Sequence, residues 1–241
     1  MSMPQKLADL RIKIFADGAE KASMLALAKN PLIKGLTTNP TLMCKAGITD
    51  YAGFAKEVLA EIKDKPVSFE VFSDEFAEME RQARIIASWG TNVYVKIPIT
   101  NTKKQPAYDL IKKLSTDGIK LNVTAIFSID QVTKTRDALR ADVPAVISVF
   151  AGRIADTGVD PIPLMKEAKA LLAEHPNSEL LWASPRELLN IYHAEEAGSD
   201  IITVTPDVLK KAANIGLDLA EFSLQTVKMF YDDGQKAGYT L

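Results

Sequence analysis

One cysteine and two histidines in 241 residues leave little material for metal or disulfide chemistry. Cys44 has no second cysteine to bridge to, which excludes an internal disulfide and any cysteine metal cluster. It follows Met43 just after TTNPTL, in an apparent helix start, and is expected to be a buried structural thiol rather than a reactive one. His193 falls in a helical pattern and His175 in a loop before Pro176. Neither belongs to a spacing such as H-x-x-x-H, so no histidine-bound zinc, and no metal-dependent aldol chemistry, is expected. Net charge is scarce as well: 29 Lys and Arg against 31 Asp and Glu leave −2, with a pI near 5.8. No broad basic surface therefore points to nucleic acid or an anionic membrane. No apolar run approaches a membrane span and none follows a basic N-terminal segment, so a cytoplasmic protein is expected. A glycine-rich phosphate turn is missing too: FADGAEKAS (15–23) does not supply G-x-G-x-x-G, which disfavours a doubly wound dinucleotide-binding sheet.

What is present is alternation. Apolar strand candidates fall at 12–16, 33–37, 67–72, 93–97, 119–126, 145–150, 179–184 and 200–205, and helix-period segments such as 51–63, 76–89 and 164–174 lie between them. With 47% apolar and 25% charged residues the composition is that of an ordinary soluble domain. Eight such units in this length predict an α/β fold, a (β/α)8 TIM barrel. No linker, low-complexity stretch or close repeat divides the chain, so one domain over 1–241 is expected. Segment 218–241 reads as an additional C-terminal helix, with Phe222, Leu224, Val227, Phe230 and Tyr231 as its apolar stripe. It either lies over its own barrel or forms an arm packing on a neighbouring subunit.

VYVKIPIT (93–100) is the most informative strand. Val93, Val95 and Ile97 share one face, which puts Tyr94 and Lys96 on the other, toward a barrel interior. An ammonium there is costly unless it is paired or gives up its proton. A neutral lysine amine is a nucleophile for carbonyl carbon, the basis of Schiff-base catalysis. A lysine snorkelling from a strand end into solvent is the simpler alternative.

Other strands add polar residues at the same rim. Opposite their apolar sets stand Asp17 on the first strand, Glu70 on the third, Asn122 and Thr124 on the fifth, Ser148 on the sixth and Ser184 on the seventh. The second runs into Thr37, Thr38, Asn39 and Pro40. Barrel active sites are assembled at this C-terminal rim from several strands, although satisfied polar layers also occur there without function. The residue types fit carbonyl chemistry. Lys96 would attack a ketone, Glu70 would serve its proton transfers, and Asp17 would deprotonate the hydroxyl whose loss drives carbon–carbon cleavage. Asn39, Asn122 and Ser148 offer hydrogen bonds to sugar hydroxyls. Arg153 and Arg186, the latter within SPRE (184–187) at an expected helix start, would clamp a phosphate, whereas surface ion pairs are the alternative for each alone.

TTNPTL (37–42), VYVKIPIT (93–100), LNVTAIFS (121–128), SVFAGRIADTG (148–158), WASPRELLN (182–190) and ITVTPDVL (202–209) resemble, in order and spacing, the transaldolase signatures. The resemblance covers essentially the whole chain, and its length is similar to the compact branch that includes the fructose 6-phosphate aldolases. It implies a cofactor-free, class I barrel enzyme. Such an enzyme moves a dihydroxyacetone unit from a ketose phosphate (sedoheptulose 7-phosphate or fructose 6-phosphate) to an aldose phosphate, as in the pentose phosphate pathway. By this resemblance Lys96 is the Schiff-base lysine, Asp17 the base for cleavage, and Glu70 the acid/base acting through a water that Thr124 helps to position. Asn39, Asn122 and Ser148 fall to the dihydroxyacetone side, Arg153, Ser184 and Arg186 receive the phosphate, and Thr38 is a further expected substrate-binding residue. The expected partners are sugar phosphates and further copies of the chain, a ring-shaped decamer with exchanged C-terminal helices being what the compact branch implies.

Aldolase members have glutamine where this chain has Glu70 and tyrosine where it has Phe150, so the resemblance is to the transaldolases. The first strand reads FADGA where FLDTA is usual, the sixth SVFAGRI where SPF-type sequences are common, and GRIADTG (152–158) lacks the usual acidic pair. These departures spare the candidate catalytic groups and point to a dedicated sugar route. An aldolase releasing free dihydroxyacetone and a barrel retained for binding without catalysis are the competing readings.

Overall fold

The computed structural model describes residues 5–241. Within them, parallel strands close into a barrel in sequence order: β1 (Lys13–Asp17), β2 (Ile33–Thr37), β3 (Val67–Glu70), β4 (Val93–Pro98), β5 (Leu121–Ile126), β6 (Ala145–Val149), β7 (Ser178–Trp182) and β8 (Ile201–Val204). β1 pairs with β8 through Lys13↔Ile201 to Ala16↔Val204, which completes the (β/α)8 ring. Two-residue alternation sorts each strand's side chains between two cores. Outward residues such as Val95, Ile97, Ile147 and Trp182 join the large core between strands and helices. Inward residues form a separate plug of Phe15, Val146, Leu181, Ala183 and Ile201, with Tyr94 and Phe150 against it. A Cβ on Gly35 would lie 2.5 Å from the Phe15 ring, so that ring fills the space beside β2 that a side chain would take. The plug fills the lower barrel and leaves open space at the C-terminal mouth.

Local signals start the helices at the rim. Asn39 caps helix Pro40–Lys45, its Oδ1 accepting from Leu42 N at 2.9 Å, and Pro40 takes the first turn, where no N–H is needed. Ser128 and Gln131 make a capping box on helix Ile129–Ala138. The expected segments 51–63, 76–89 and 164–174 appear as Tyr51–Glu61, Phe76–Ala87 and Ile162–Leu171. Cys44 departs from expectation. It is exposed, because helix Pro40–Lys45 turns Met43, not its neighbour, into the core.

Helix Leu219–Ala237 follows the barrel, capped by Asp218 at its start and by left-handed Gly238 (φ 67°) at its end. Among the described residues it buries none of its side chains, and Phe230 and Tyr231 are 65% and 66% exposed. The helix therefore does not lie over its own barrel. No helix among the described residues is long and apolar enough to cross a membrane.

Candidate active site

A cavity of about 630 Å³ opens at the C-terminal mouth. Asp17, Glu70, Lys96, Asn122, Thr124 and Ser148 line it from the strands, and Asn39, Arg153, Ser184 and Arg186 from the segments that follow. Ten of the expected residues are thereby brought to one wall-to-wall space. Thr38 is not in that lining: its hydroxyl donates to Ser68 O at 2.9 Å, and its carbonyl is what faces the site.

Lys96 decides the character of the cavity. Its side chain is 9% exposed, and Nζ lies 2.9 Å from Glu70 Oε2 and donates to Thr38 O at 2.9 Å. Register explains the pairing, since Glu70 and Lys96 are directly opposed across β3 and β4. The lysine does not snorkel to solvent. It is buried, with the Glu70 carboxyl within hydrogen-bond reach of Nζ.

Asp17 accepts from Thr37 Oγ1 at 2.8 Å, and Thr37 shares a 2.5 Å hydroxyl–hydroxyl bond with Thr203 of β8. Burial pushes the Asp17 carboxyl above its usual range. Lys96 and the Thr37 hydrogen bond pull the other way without reversing the shift, and Glu70 adds to it. On the opposite wall Ser148 Oγ donates to Asn122 Oδ1 at 2.7 Å, and Asn122 Nδ2 donates to Ser68 Oγ at 3.0 Å. Both polar ends of Asn122 are thus held, while Asn39, with Oδ1 spent on its cap, retains its amide nitrogen for a ligand.

The cationic sector differs from expectation. Arg186 lies ahead of helix Leu189–Glu196 and not at its start. Asn190 Oδ1 accepts from both Arg186 N (2.7 Å) and Glu187 N (3.2 Å), so these amides are occupied rather than open to an anion. The Arg186 guanidinium is held by Asp156, with Nε 2.9 Å from Oδ1, while Arg153 lies over the Phe150 ring, 5.7 Å from its centroid. Ser184 adopts a φ of 58° between them, and Ala125 does so at 60° where β5 shifts register against β6. Such non-glycine conformations are rare and persist where surrounding structure imposes them.

Sequence reasoning passed over Thr203, Asp156 and Tyr51. Period-two counting on IITVT (201–205) places Thr203 inward, so that signal was available. Asp156 and Tyr51 hold Arg186 and the Glu70 backbone from other elements, without lining the cavity, and left no pattern. Among the described residues no group of three His, Cys, Asp or Glu side chains is arranged to hold a metal ion.

The family described as transaldolase/fructose-6-phosphate aldolase matches residues 14–240. The chain belongs to this family. A probable transaldolase of Dehalococcoides mccartyi is 35% identical over 199 residues, 82% of this chain and 88% of that protein. One from Bdellovibrio bacteriovorus is 33% identical over 227 residues, covering 94% of this chain and 99% of the relative. Among solved structures, 2,3-dimethylmalate lyase superposes with a TM-score of 0.54 at 15% identity, over 97% of this chain and 86% of the other, a likeness of fold alone. Within the transaldolase/fructose-6-phosphate aldolase family, then, this barrel presents an ion-paired lysine and a raised carboxyl in one cavity.

Proposed function

We propose that the protein is a transaldolase that carries a dihydroxyacetone unit from a ketose phosphate to an aldose phosphate through a Schiff base on Lys96. The observation that carries this reading is the Lys96–Glu70 pair at 2.9 Å inside the cavity that Asp17 also lines. Glu70 takes a proton from the ammonium, and the neutral amine adds to the donor's C2 carbonyl. Loss of water, served by Glu70 through a water beside Thr124, turns the carbinolamine into an iminium. Asp17, made a stronger proton acceptor by its burial, removes the proton of the C4 hydroxyl. The C3–C4 bond then breaks and its electron pair passes into the iminium, leaving an enamine and freeing an aldose phosphate. The enamine attacks an acceptor aldehyde, Asp17 returns its proton to the new alkoxide, and water releases the product.

Asn39, Asn122 and Ser148 would hold the dihydroxyacetone hydroxyls; Arg153, Ser184 and Arg186 would hold the phosphate, with Arg186 sharing itself between substrate and Asp156. Glu70 and Phe150 favour transfer over release. Protonating the enamine to free dihydroxyacetone requires a placed water, which a phenylalanine cannot help to arrange. The unburied apolar stripe of helix Leu219–Ala237 supports a homo-oligomer built by exchange of these helices.

Borohydride trapping with fructose 6-phosphate, followed by peptide mass spectrometry, tests the reading. A dihydroxyacetone-derived adduct on Lys96, lost together with transfer activity in Lys96→Ala, is expected. Substantial turnover by Lys96→Ala would overturn it, and dihydroxyacetone release at the transfer rate without acceptor would reassign the enzyme as an aldolase.

A further inference from the structure

Strand β3 reaches Glu70 with one side uncovered. Along β3 the carbonyls of Pro66 and Ser68 accept from Leu36 N (2.9 Å) and Thr38 N (3.1 Å) of the β2 side. Glu70, two residues further on, turns its own N–H and C=O to that same side. There β2 has already left the sheet, since its pairing with β3 runs from Leu36↔Val67 to Thr37↔Ser68 and the chain enters helix Pro40–Lys45. Two backbone groups of the proposed acid/base residue would be left without a strand partner.

The Tyr51 hydroxyl meets both. It accepts from Glu70 N at 2.9 Å and donates to Glu70 O at 2.8 Å, so one phenol does the work of the absent neighbouring strand. Tyr51 is the first residue of helix Tyr51–Glu61, anchored by the Asp50 cap on Gly53 N. Its ring packs at 5.3 Å from that of Phe72, 6.1 Å from Trp89 and 6.4 Å from Phe69. The same enclosure pushes the phenol's ionisation well above its usual range, so the hydroxyl keeps the proton it donates.

We propose that Tyr51 is a positioning residue for proton transfer at Lys96: its hydroxyl fixes the backbone of Glu70 and so holds the carboxylate 2.9 Å from Nζ. The proposal rests on the acid/base role assigned to Glu70, and the experiment separates the two. Transfer rates are measured for wild type, Tyr51→Phe, Glu70→Gln and the double variant, with thermal melts to establish folding. Tyr51→Phe is expected to lower kcat by roughly 10- to 100-fold, the scale of a small misplacement of a reacting group, with KM changed less than about two-fold. In the Glu70→Gln background the same substitution is expected to cost nothing further, because the carboxylate it positions is gone. An equal loss in both backgrounds, or no loss in a folded single variant, would overturn the proposal. If Glu70→Gln alone keeps the wild-type rate and pH profile, the acid/base reading falls and this proposal with it, whatever Tyr51→Phe does. Should Tyr51→Phe not fold, 2,3-difluorotyrosine at position 51 keeps the volume and weakens the oxygen as an acceptor. A several-fold drop in kcat at constant KM then supports the proposal, and an unchanged kcat refutes it.

Discussion

Asp17 shows how burying a single carboxyl costs stability at the wall of the cavity. Its carboxyl is raised by burial, so the folded state binds its proton more tightly than the unfolded chain does. The sign follows directly. Between the ordinary carboxylate range and the raised folded value, rising pH deprotonates the unfolded state first and stability falls; above both values the cost is constant. Asp17→Asn cannot ionise and keeps an acceptor for Thr37. It is expected to melt higher at pH 7, because the folded state no longer holds a carboxyl whose ionisation burial disfavours. That gain should shrink as pH falls toward 4, while carbon–carbon cleavage is lost. A lower melting temperature at pH 7 would show that Asp17 is a net stabiliser held by Lys96. The candidate residues themselves were legible because strand parity is strict: counting by twos from the apolar set puts Asp17, Lys96, Asn122 and Ser148 inward. Parity says nothing of Cys44, whose helix turns Met43 inward instead.

At the scale of elements, the cationic sector depends on a close approach that no side chain permits. A Cβ on Gly152, in helix Ala151–Ala155, would lie 1.6 Å from Ser184 O, and Gly152 N donates to Ala183 O at 3.2 Å. The helix after β6 thereby presses on the segment after β7 and fixes Ser184 in its left-handed conformation, bringing Arg153 and Arg186 to one wall. Gly152→Ala must push this backbone apart. We expect a loss of ~1–3 kcal/mol in chemical denaturation, the usual cost of overpacking. KM for a phosphorylated acceptor should rise about ten-fold while a non-phosphorylated aldehyde is little affected. Equal KM changes for both would detach this contact from anion binding. The sequence signalled two arginines here, but not that Asp156 and Asn190 would engage Arg186, since those contacts join residues 30 and 4 positions away through loop geometry.

For the whole molecule, the barrel accounts for every strand, while the C-terminal helix remains without a partner among the described residues. Nineteen residues of isolated helix are marginal in water, and this one exposes Phe222, Val227, Met229 and Phe230 along its length. Its stability in solution calls for a surface to cover it, and the proposed assembly would supply that surface from a second copy of the chain. Sedimentation of the full chain is expected to show a closed oligomer. Removal of residues 218–241 should yield smaller species with the barrel's circular dichroism retained. A full-length protein that sediments as a sharp monomer would refute the exchanged-helix assembly.

The order of strands, their inward and outward faces, the rim address of the polar residues and the family were all determined by the sequence itself. Each rests on periodicity, length or local motif, which short-range chemistry imposes residue by residue. Tertiary structure alone decided that Lys96 is ion-paired to Glu70, that Asp17 is raised, that Arg186 is shared with Asp156 and that Tyr51 completes the edge of β3. Those outcomes depend on distances between elements far apart in the chain and on how much water the closed barrel leaves around each charge, quantities that no spacing in a linear sequence encodes.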